Sequence, residues 1–317
     1  MINVYVKCFS RAAYLDRCLF SIERTLTGYD RIVLLNDGLP DRYLSRILER
    51  HPGVEVRQSL KLTEPLPPPS APLEERMRFD PARFWVEEIG KDGNPYIVLL
   101  EEDTWLTGRL NLPLAVRNMD ANDTLALRLF WNGNPVFSGA AEVFLSSLFE
   151  DGSRIDYYAP AIRSPADLYK IFFLAHGIYR TDYWLNSYAG IPRWNEERYA
   201  LAKAREYVKR RHDAGKKSRF AKTGEELIRH CVSSTSRSDS GGIGVTRKID
   251  AGLYNDAMNE AWLAGGLDPM AGYPQDFPEA ALLTLFERSL TAEQVAAWRL
   301  WKADYLGMYR RMGCELE

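Results

Sequence analysis

Two hydrophobic rhythms run along this chain and change over near residue 195, short apolar runs alternating with helical spacing before it and long amphipathic stretches after it. INVYVKCF, residues 2–9, is an apolar, β-rich run, and AAYLDRCLFSIERTL carries Tyr14, Leu15, Cys18, Leu19 and Ile22 at helical spacing. DRIVLLND is a second short apolar run, stopped by the turn residues Asn36, Asp37 and Gly38. Together they predict a βαβ unit. A helix over 41–50 and a strand over 54–58 continue the alternation, so the pattern predicts an α/β fold: an open, mainly parallel sheet with helices on both faces.

EPLPPPSAP, residues 64–72, has five prolines, which lack a backbone N–H and fix φ, so neither helix nor central strand fits there. Helix is expected again over 81–89. YIVLLEEDTWL, residues 96–106, then sets a buried strand, Ile97 to Leu100, directly before Glu101, Glu102 and Asp103. TLALRLFW is a further apolar strand ending at Trp131, with the turn-rich NGNP after it. Beyond it NEERYALAKAREYVKRRHDAG, GEELIRHCV, PEAALLTLFERS and AEQVAAWRLWKADYLGMYRRM read as helices, and SSTSRSDSGGIGVTRK, without apolar periodicity, as a loop. The expected division is an α/β domain over 1–200 and a helical C-terminal region over 201–317, with the Ser/Gly stretch mobile.

At 317 residues with 46% hydrophobic and 26% charged, the chain can bury a sizeable globular core. It has no apolar run of about 18 residues to span a membrane. The start MINVYVKCF lacks a basic flank before an apolar segment, so the cytoplasm is the expected location. Cys8, Cys18, Cys231 and Cys314 show none of the paired spacings of a zinc site and are expected to be reduced packing residues. Formal net charge is −2, but residues 201–250 hold 13 Lys or Arg against 6 Asp or Glu, so a basic segment sits on an otherwise acidic chain.

In open α/β sheets ligands bind beyond the carboxyl ends of the strands. Four groups fall at such ends: Phe9, Ser10 and Arg11; Asn36, Asp37 and Gly38; Glu101 to Asp103; and Trp131 to Asn134. An Asp there can accept hydrogen bonds from a base or ribose. Three adjacent carboxylates repel one another unless a cation lies between them, and a divalent ion held there could take phosphate oxygens at its free positions. The Ser/Gly stretch offers a second phosphate-binding device, a lid using Arg237, Arg247 or Lys248.

INVYVKCFSRAAYLDRCLFSI…YDRIVLLNDGLPD, followed by YIVLLEEDTWLTG, resembles the glycosyltransferase-A fold, in particular the inverting family-two-like enzymes that use nucleotide sugars. The likeness spans roughly residues 1–110, with a weaker echo in HGIYRTDYWLNSYAGIPRWNEERY. It implies a UDP-sugar or similar donor, with Mn²⁺ or Mg²⁺ held by Glu101, Asp103 and His230, or by His176 in its place. Asp37 would contact the nucleoside, and Glu196 or Glu197 would be the catalytic base. Phe9, Arg11, Asp37 and Glu102, with Arg237, Arg247 and Lys248, form the expected donor-binding set, within which Glu102 faces the other way by strand alternation and reads as structural. The sequence departs from the family at Asn36 and Glu101, where the motifs usually have Asp, and at Asn-Glu-Glu in the base motif.

The implied reaction is transfer of a single sugar to a hydroxyl acceptor with inversion, the acceptor being a saccharide or, through the basic 201–250 segment, a polyanion such as hydroxymethylated DNA. Two other classes fit the same residues. A nucleotidyltransferase would use a similar scaffold, although no Gly-rich, Lys- or Arg-bearing phosphate loop follows the first strand. A glycosyltransferase-like protein that binds saccharide or nucleic acid without turnover is the non-enzyme alternative.

Overall fold

The computed structural model describes residues 2–68, 70–134, 137–149, 152–173, 175–191, 196–234 and 247–315, except for the side chains of residues 73, 165, 166, 196 and 197. The first part follows the predicted alternation: β1 (Asn3–Cys8), α1 (Ala12–Thr25), the two-residue β2 (Leu26–Thr27), β3 (Ile32–Asn36), α2 (Asp41–Arg50) and β4 (Val54–Gln58). After the Pro-rich stretch come a short α3 (Leu73–Met77) and α4 (Pro81–Lys91), the latter started by Asp80 accepting from the Ala82 N–H and by proline in its first turn. Then follow β5 (Tyr96–Glu101), β6 (Thr104–Leu106), β7 (Leu110–Asn111), α5 (Leu112–Ala121) and β8 (Thr124–Arg128). The chain continues through β9 (Val143–Leu148), β10 (Arg154–Tyr158), β11 (Gly177–Arg180), α6 (Thr181–Tyr188), α7 (Glu196–Asp213), β12 (Arg219–Thr223) and β13 (Ile228–His230). Three helices close it: α8 (Ala251–Leu263), α9 (Glu279–Ser289) and α10 (Ala292–Arg311).

Nine strands make the main sheet, in the order β4-β3-β1-β5-β11-β8-β12-β10-β9. β4, β3, β1 and β5 are parallel neighbours, β12 is parallel to β8, and β11 and β10 run against the strands beside them. The sheet is therefore mainly parallel, as expected. It also runs past the expected boundary at residue 200, because β12 lies between β8 and β10. GEELIRHCV is not helical: β13 pairs with β6, and the Leu227 and Ile228 N–H groups donate to Leu129 O, so sheet partners rather than a local helix satisfy this backbone.

Side-chain alternation sends the two faces of β1, β3 and β5 into two cores. Val4, Val6, Ile32, Leu34, Val98 and Leu100 pack beneath α1 and the C-terminal helices, with Trp262, Phe286, Trp298 and Trp301 filling the layer. Tyr5, Val33, Leu35, Ile97 and Leu99 face α4, α6 and α7 through Phe84, Tyr183, Trp184 and Leu201. Each large apolar side chain buried this way contributes about 1.5–3 kcal/mol. With both faces covered, every residue of β1 is buried. The C-terminal helices also reach the functional edge: Asn259 on α8 accepts from the Ala13 N–H (3.3 Å) and donates to Ser10 O (2.7 Å), fixing the turn between β1 and α1. No helix among the described residues is long and apolar enough to cross a membrane.

Candidate active site at the carboxyl edge of the sheet

The ends of β1 and β3 are in register, Cys8 opposite Asn36, so the turns that follow them meet. Asn36 Oδ1 accepts from the N–H groups of Gly38 (3.1 Å) and Leu39 (2.8 Å), and the Asp37 N–H donates to Cys8 O (2.9 Å). Asn36, standing where the family motif has Asp, thus builds the turn that presents Asp37. A Cβ at Gly38 would lie 2.4 Å from the Phe9 ring, so only glycine allows this close approach. The Phe9 ring is 38% exposed and has Lys61 Nζ 4.8 Å from its centroid, and the same ammonium pairs with Asp37 Oδ2 at 2.5 Å.

Internal cations answer the repulsion among the three carboxylates. Lys7 lies beside Glu101 in the β1–β5 register and pairs with its Oε1 at 2.6 Å, while His176 Nε2 is 3.6 Å from Oε2. Burial works to raise the Glu101 pKa, but Lys7 and His176 together outweigh it and hold the group down at about 2. Glu102 points to the opposite face, as alternation predicts. Its carboxylate accepts from the Phe9 N–H (2.6 Å), the Ser10 N–H (3.2 Å) and Arg11 Nε (2.9 Å), so it clamps the β1–α1 turn and is structural. Arg11 Nη1 reaches Asp103 Oδ2 at 2.7 Å. Burial alone would lower the Arg11 pKa, but Asp103 and Glu102 drive it well above the usual guanidinium value. Arg11 is 6% exposed, and these contacts make it the residue that orients Asp103.

Asp103 Oδ1, His176 Nδ1 and His230 Nε2 are buried atoms at this edge that have no hydrogen-bond partner among the described residues. The Cys231 N–H donates to Asp103 O (2.9 Å), which brings His230 alongside Asp103 at the end of the β6–β13 ladder. Phe130 separates the two imidazoles, its centroid 5.1 Å from that of His176 and 5.4 Å from that of His230. Burial, against the pull of Glu101 and Asp103, lowers His176 to about 4, and burial likewise lowers His230 against Asp103 and Asp276. Both rings are therefore neutral near pH 7. His176 also has φ 68°, an uncommon backbone for a non-glycine residue.

Among the described residues no three of His, Cys, Asp and Glu are grouped to hold a metal ion. Asp103 and His230, each with an open buried atom, suit a divalent ion that takes its remaining ligands from a phosphorylated substrate. Glu101 stands apart, with one oxygen paired to Lys7 and the other facing His176.

Other expected residues lie elsewhere. Arg247 is exposed and its Nε pairs with Asp304 Oδ2 on α10 at 3.1 Å; Lys248 is exposed beside it. Arg237 lies outside the described residues, as do the side chains of Glu196 and Glu197. The backbone nevertheless places the first turn of α7. α6 runs from Thr181, next to Arg180, to Tyr188, whose ring centroid is 6.0 Å from Lys7 Nζ, and α7 returns along it, with Lys203 donating to Ala189 O and Tyr207 to Asp182. Glu196 and Glu197 therefore open a helix whose start lies toward the carboxyl edge. The 131–134 turn, expected to face a ligand, is filled from within: the Trp131, Asn132 and Gly133 N–H groups all donate to Glu226. Lys7, Lys61 and Glu226 are the functional-edge residues that the sequence reading missed.

No protein-family model and no curated protein matches the chain. Among solved structures, S. aureus TarS matches 98% of this chain and 54% of that chain, at 12% identity and TM-score 0.45, so the chain spans about half its length. Glucosyl-3-phosphoglycerate synthase from Mycobacterium tuberculosis, in complex with Mn²⁺ and uridine-diphosphate-glucose, matches 84% of this chain and 80% of that chain at 13% identity and TM-score 0.45. The WbbM bifunctional glycosyltransferase matches 64% and 37%, at 15% identity and TM-score 0.37. At this identity and overlap these matches carry no functional argument, and the function is read from the carboxyl edge.

Proposed function

We propose that this protein is a nucleotide-sugar-dependent glycosyltransferase that moves a single sugar to a hydroxyl acceptor with inversion. One observation carries the reading: the half-buried Asp103 carboxylate has one oxygen fixed by Arg11 and the other, itself buried, without a partner among the described residues, just past the end of a core strand and beside the backbone that carries His230, whose Nε2 is likewise open. Asp37 receives the polar edge of the nucleoside, and the exposed Phe9 ring offers it a stacking face. Arg11 and Glu102 hold Asp103 and the β1–α1 turn in place, so little reorganisation is needed when charge develops. A Mn²⁺ or Mg²⁺ ion at Asp103 and His230 would, when bound, supply positive charge for the departing nucleoside diphosphate.

The acceptor hydroxyl has a pKa far above neutral and must lose its proton as it attacks. Glu196 or Glu197, at the start of α7, takes that proton, a role worth roughly 10²–10⁴-fold. The new C–O bond forms on the anomeric carbon as the bond to the diphosphate oxygen breaks on the opposite side, which inverts the centre. A saccharide hydroxyl is the first acceptor class, and DNA approached through the basic 201–250 segment is the second. The test is nucleoside diphosphate release from a panel of nucleotide sugars, with Mn²⁺ or chelator, for wild type and Asp103→Asn. Release of one nucleotide that falls roughly 10²–10³-fold in the variant supports the reading. Equal rates in both proteins would sink it.

A further inference from the structure

The opposite edge of the sheet carries a second cluster of charge, away from the groups assigned to donor binding and proton transfer. Arg180 ends β11 beside Tyr96, the first residue of β5, so this is the amino edge. The last turns of α7 meet it there and leave an open cavity of about 510 Å³, lined by Arg180, Arg210, Arg211 and Lys216 with Asp182 and Tyr207. Asp123 engages two of the cations, Arg180 Nη1 at 2.9 Å and Arg211 Nη2 at 2.6 Å. Asp182 Oδ1 lies 3.6 Å from Arg180 Nε, and its Oδ2 accepts from Tyr207. Among the described residues no ion pair engages Arg210 or Lys216, which leaves four cations against two carboxylates. Lys209, Lys217 and Arg219 extend the basic surface along the chain.

We propose that this groove docks the phosphodiester backbone of a nucleic acid acceptor. Three guanidinium groups with planar, forked donors match phosphate oxygens better than they match isolated hydroxyls, and the open shape lets a chain pass through rather than end there. The strands between the two edges are five or six residues long, which at about 3.3 Å per residue is roughly 17–20 Å. A nucleic acid strand covers that span in roughly six steps of about 3.4 Å. The groove thus holds one stretch of the polymer while a hydroxyl farther along reaches the carboxyl edge. The inference rests on the transfer reading for the purpose of docking, and the binding itself is measured without turnover.

The experiment follows the fluorescence anisotropy of a labelled DNA duplex with the full chain, in low and in moderately raised salt, with linear inorganic polyphosphate as competitor. Four phosphate contacts predict a roughly hundredfold loss of affinity for a fourfold rise in salt, and Arg210→Glu combined with Lys216→Glu should weaken binding about tenfold and roughly halve the salt slope. Both side chains are exposed, so the variant should fold. Polyphosphate should displace the duplex, because backbone phosphates are what the groove binds; a duplex that polyphosphate in excess cannot displace overturns backbone docking. No binding in low salt, or a double variant with the affinity and slope of wild type, overturns it. Nucleoside diphosphate release without DNA reads the donor site alone, and Asp103→Asn, which should lose that release, should keep its hold on DNA, so failure of docking and failure of the transfer reading are told apart.

Discussion

The two edges of this sheet use their cations in opposite ways. At the carboxyl edge Lys7 and Arg11 are 5% and 6% exposed, and both are spent on the fold's own carboxylates. At the amino edge Arg210 and Lys216 are exposed and face outward. A buried cation with a fixed partner sets the geometry of a site, because removing it strands a carboxylate in a poorly solvated place. An exposed cation contributes almost nothing to stability and keeps its charge available to an outside partner. Substitutions at the first edge should therefore register in folding, and at the second in binding.

Arg11→Met should have the largest effect. It leaves Glu102 and Asp103 without their shared partner, and breaking a buried pair from one side costs about 3–5 kcal/mol. Urea denaturation should show the loss directly. Arg11→Lys should recover only part of it, because an ammonium cannot serve both carboxylates with the geometry of the guanidinium fork. A stability loss under about 1 kcal/mol for Arg11→Met would erase the distinction between the two edges.

Lys7→Met should come next, through pH. The folded-state pKa of Glu101, about 2, lies below its ordinary value of 4.5, so the pair's contribution is present above the ordinary value and is lost as pH falls from there toward 2. At neutral pH the variant should be less stable by about 1.5–3 kcal/mol, the worth of a hydrogen bond to a charged group. The gap between variant and wild type should narrow through that acid window. A gap that stays constant down to pH 2 would mean that Lys7 acts by packing against Trp85, 4.5 Å from its ammonium, rather than by charge.

Much of the first edge was legible in the sequence. The apolar runs of β1, β3 and β5 are bounded by turn residues, so their ends, and with them Asp37 and Asp103, could be placed. Lys7 could not. A lone lysine in an apolar run gives no signal until the sheet sets Lys7 beside Glu101. Lys61 is hidden for the same reason, since its partner Asp37 belongs to the neighbouring strand's turn. RFAKT has two apolar positions in five and offers too little alternation to announce β12, although its neighbours in the sheet make it a strand. At the amino edge the surplus of charge was plain, but which cations stay open depends on Asp123, far from them in sequence, taking up Arg180 and Arg211.

Gly38→Ala tests the first edge without touching a charge. Its Cβ would fall 2.4 Å from the Phe9 ring and 2.9 Å from the Phe9 carbonyl oxygen, so the ring must swing away. Overpacking of this kind costs about 1–3 kcal/mol. Because the displaced ring is the proposed stacking face, the donor KM should rise while the melting temperature falls only a few degrees. A lower melting temperature with an unchanged KM would remove Phe9 from the donor site.

The smallest effect should come from Arg210→Glu with Lys216→Glu. Neither side chain is in an ion pair among the described residues, so no buried partner is stranded, and the expected change in stability is within about 0.5 kcal/mol. The sign is informative. Both residues lie near the C-terminal end of α7, where the helix dipole favours cations, so a slight destabilisation in low salt that fades as salt rises is the signature of a helix-end effect. Relief of repulsion among Arg180, Arg210, Arg211 and Lys216 works the other way and would make the variant slightly more stable in low salt. A stabilised variant that has lost its hold on DNA would show that these cations are kept together against their mutual repulsion, as a binding surface requires and a folding role does not.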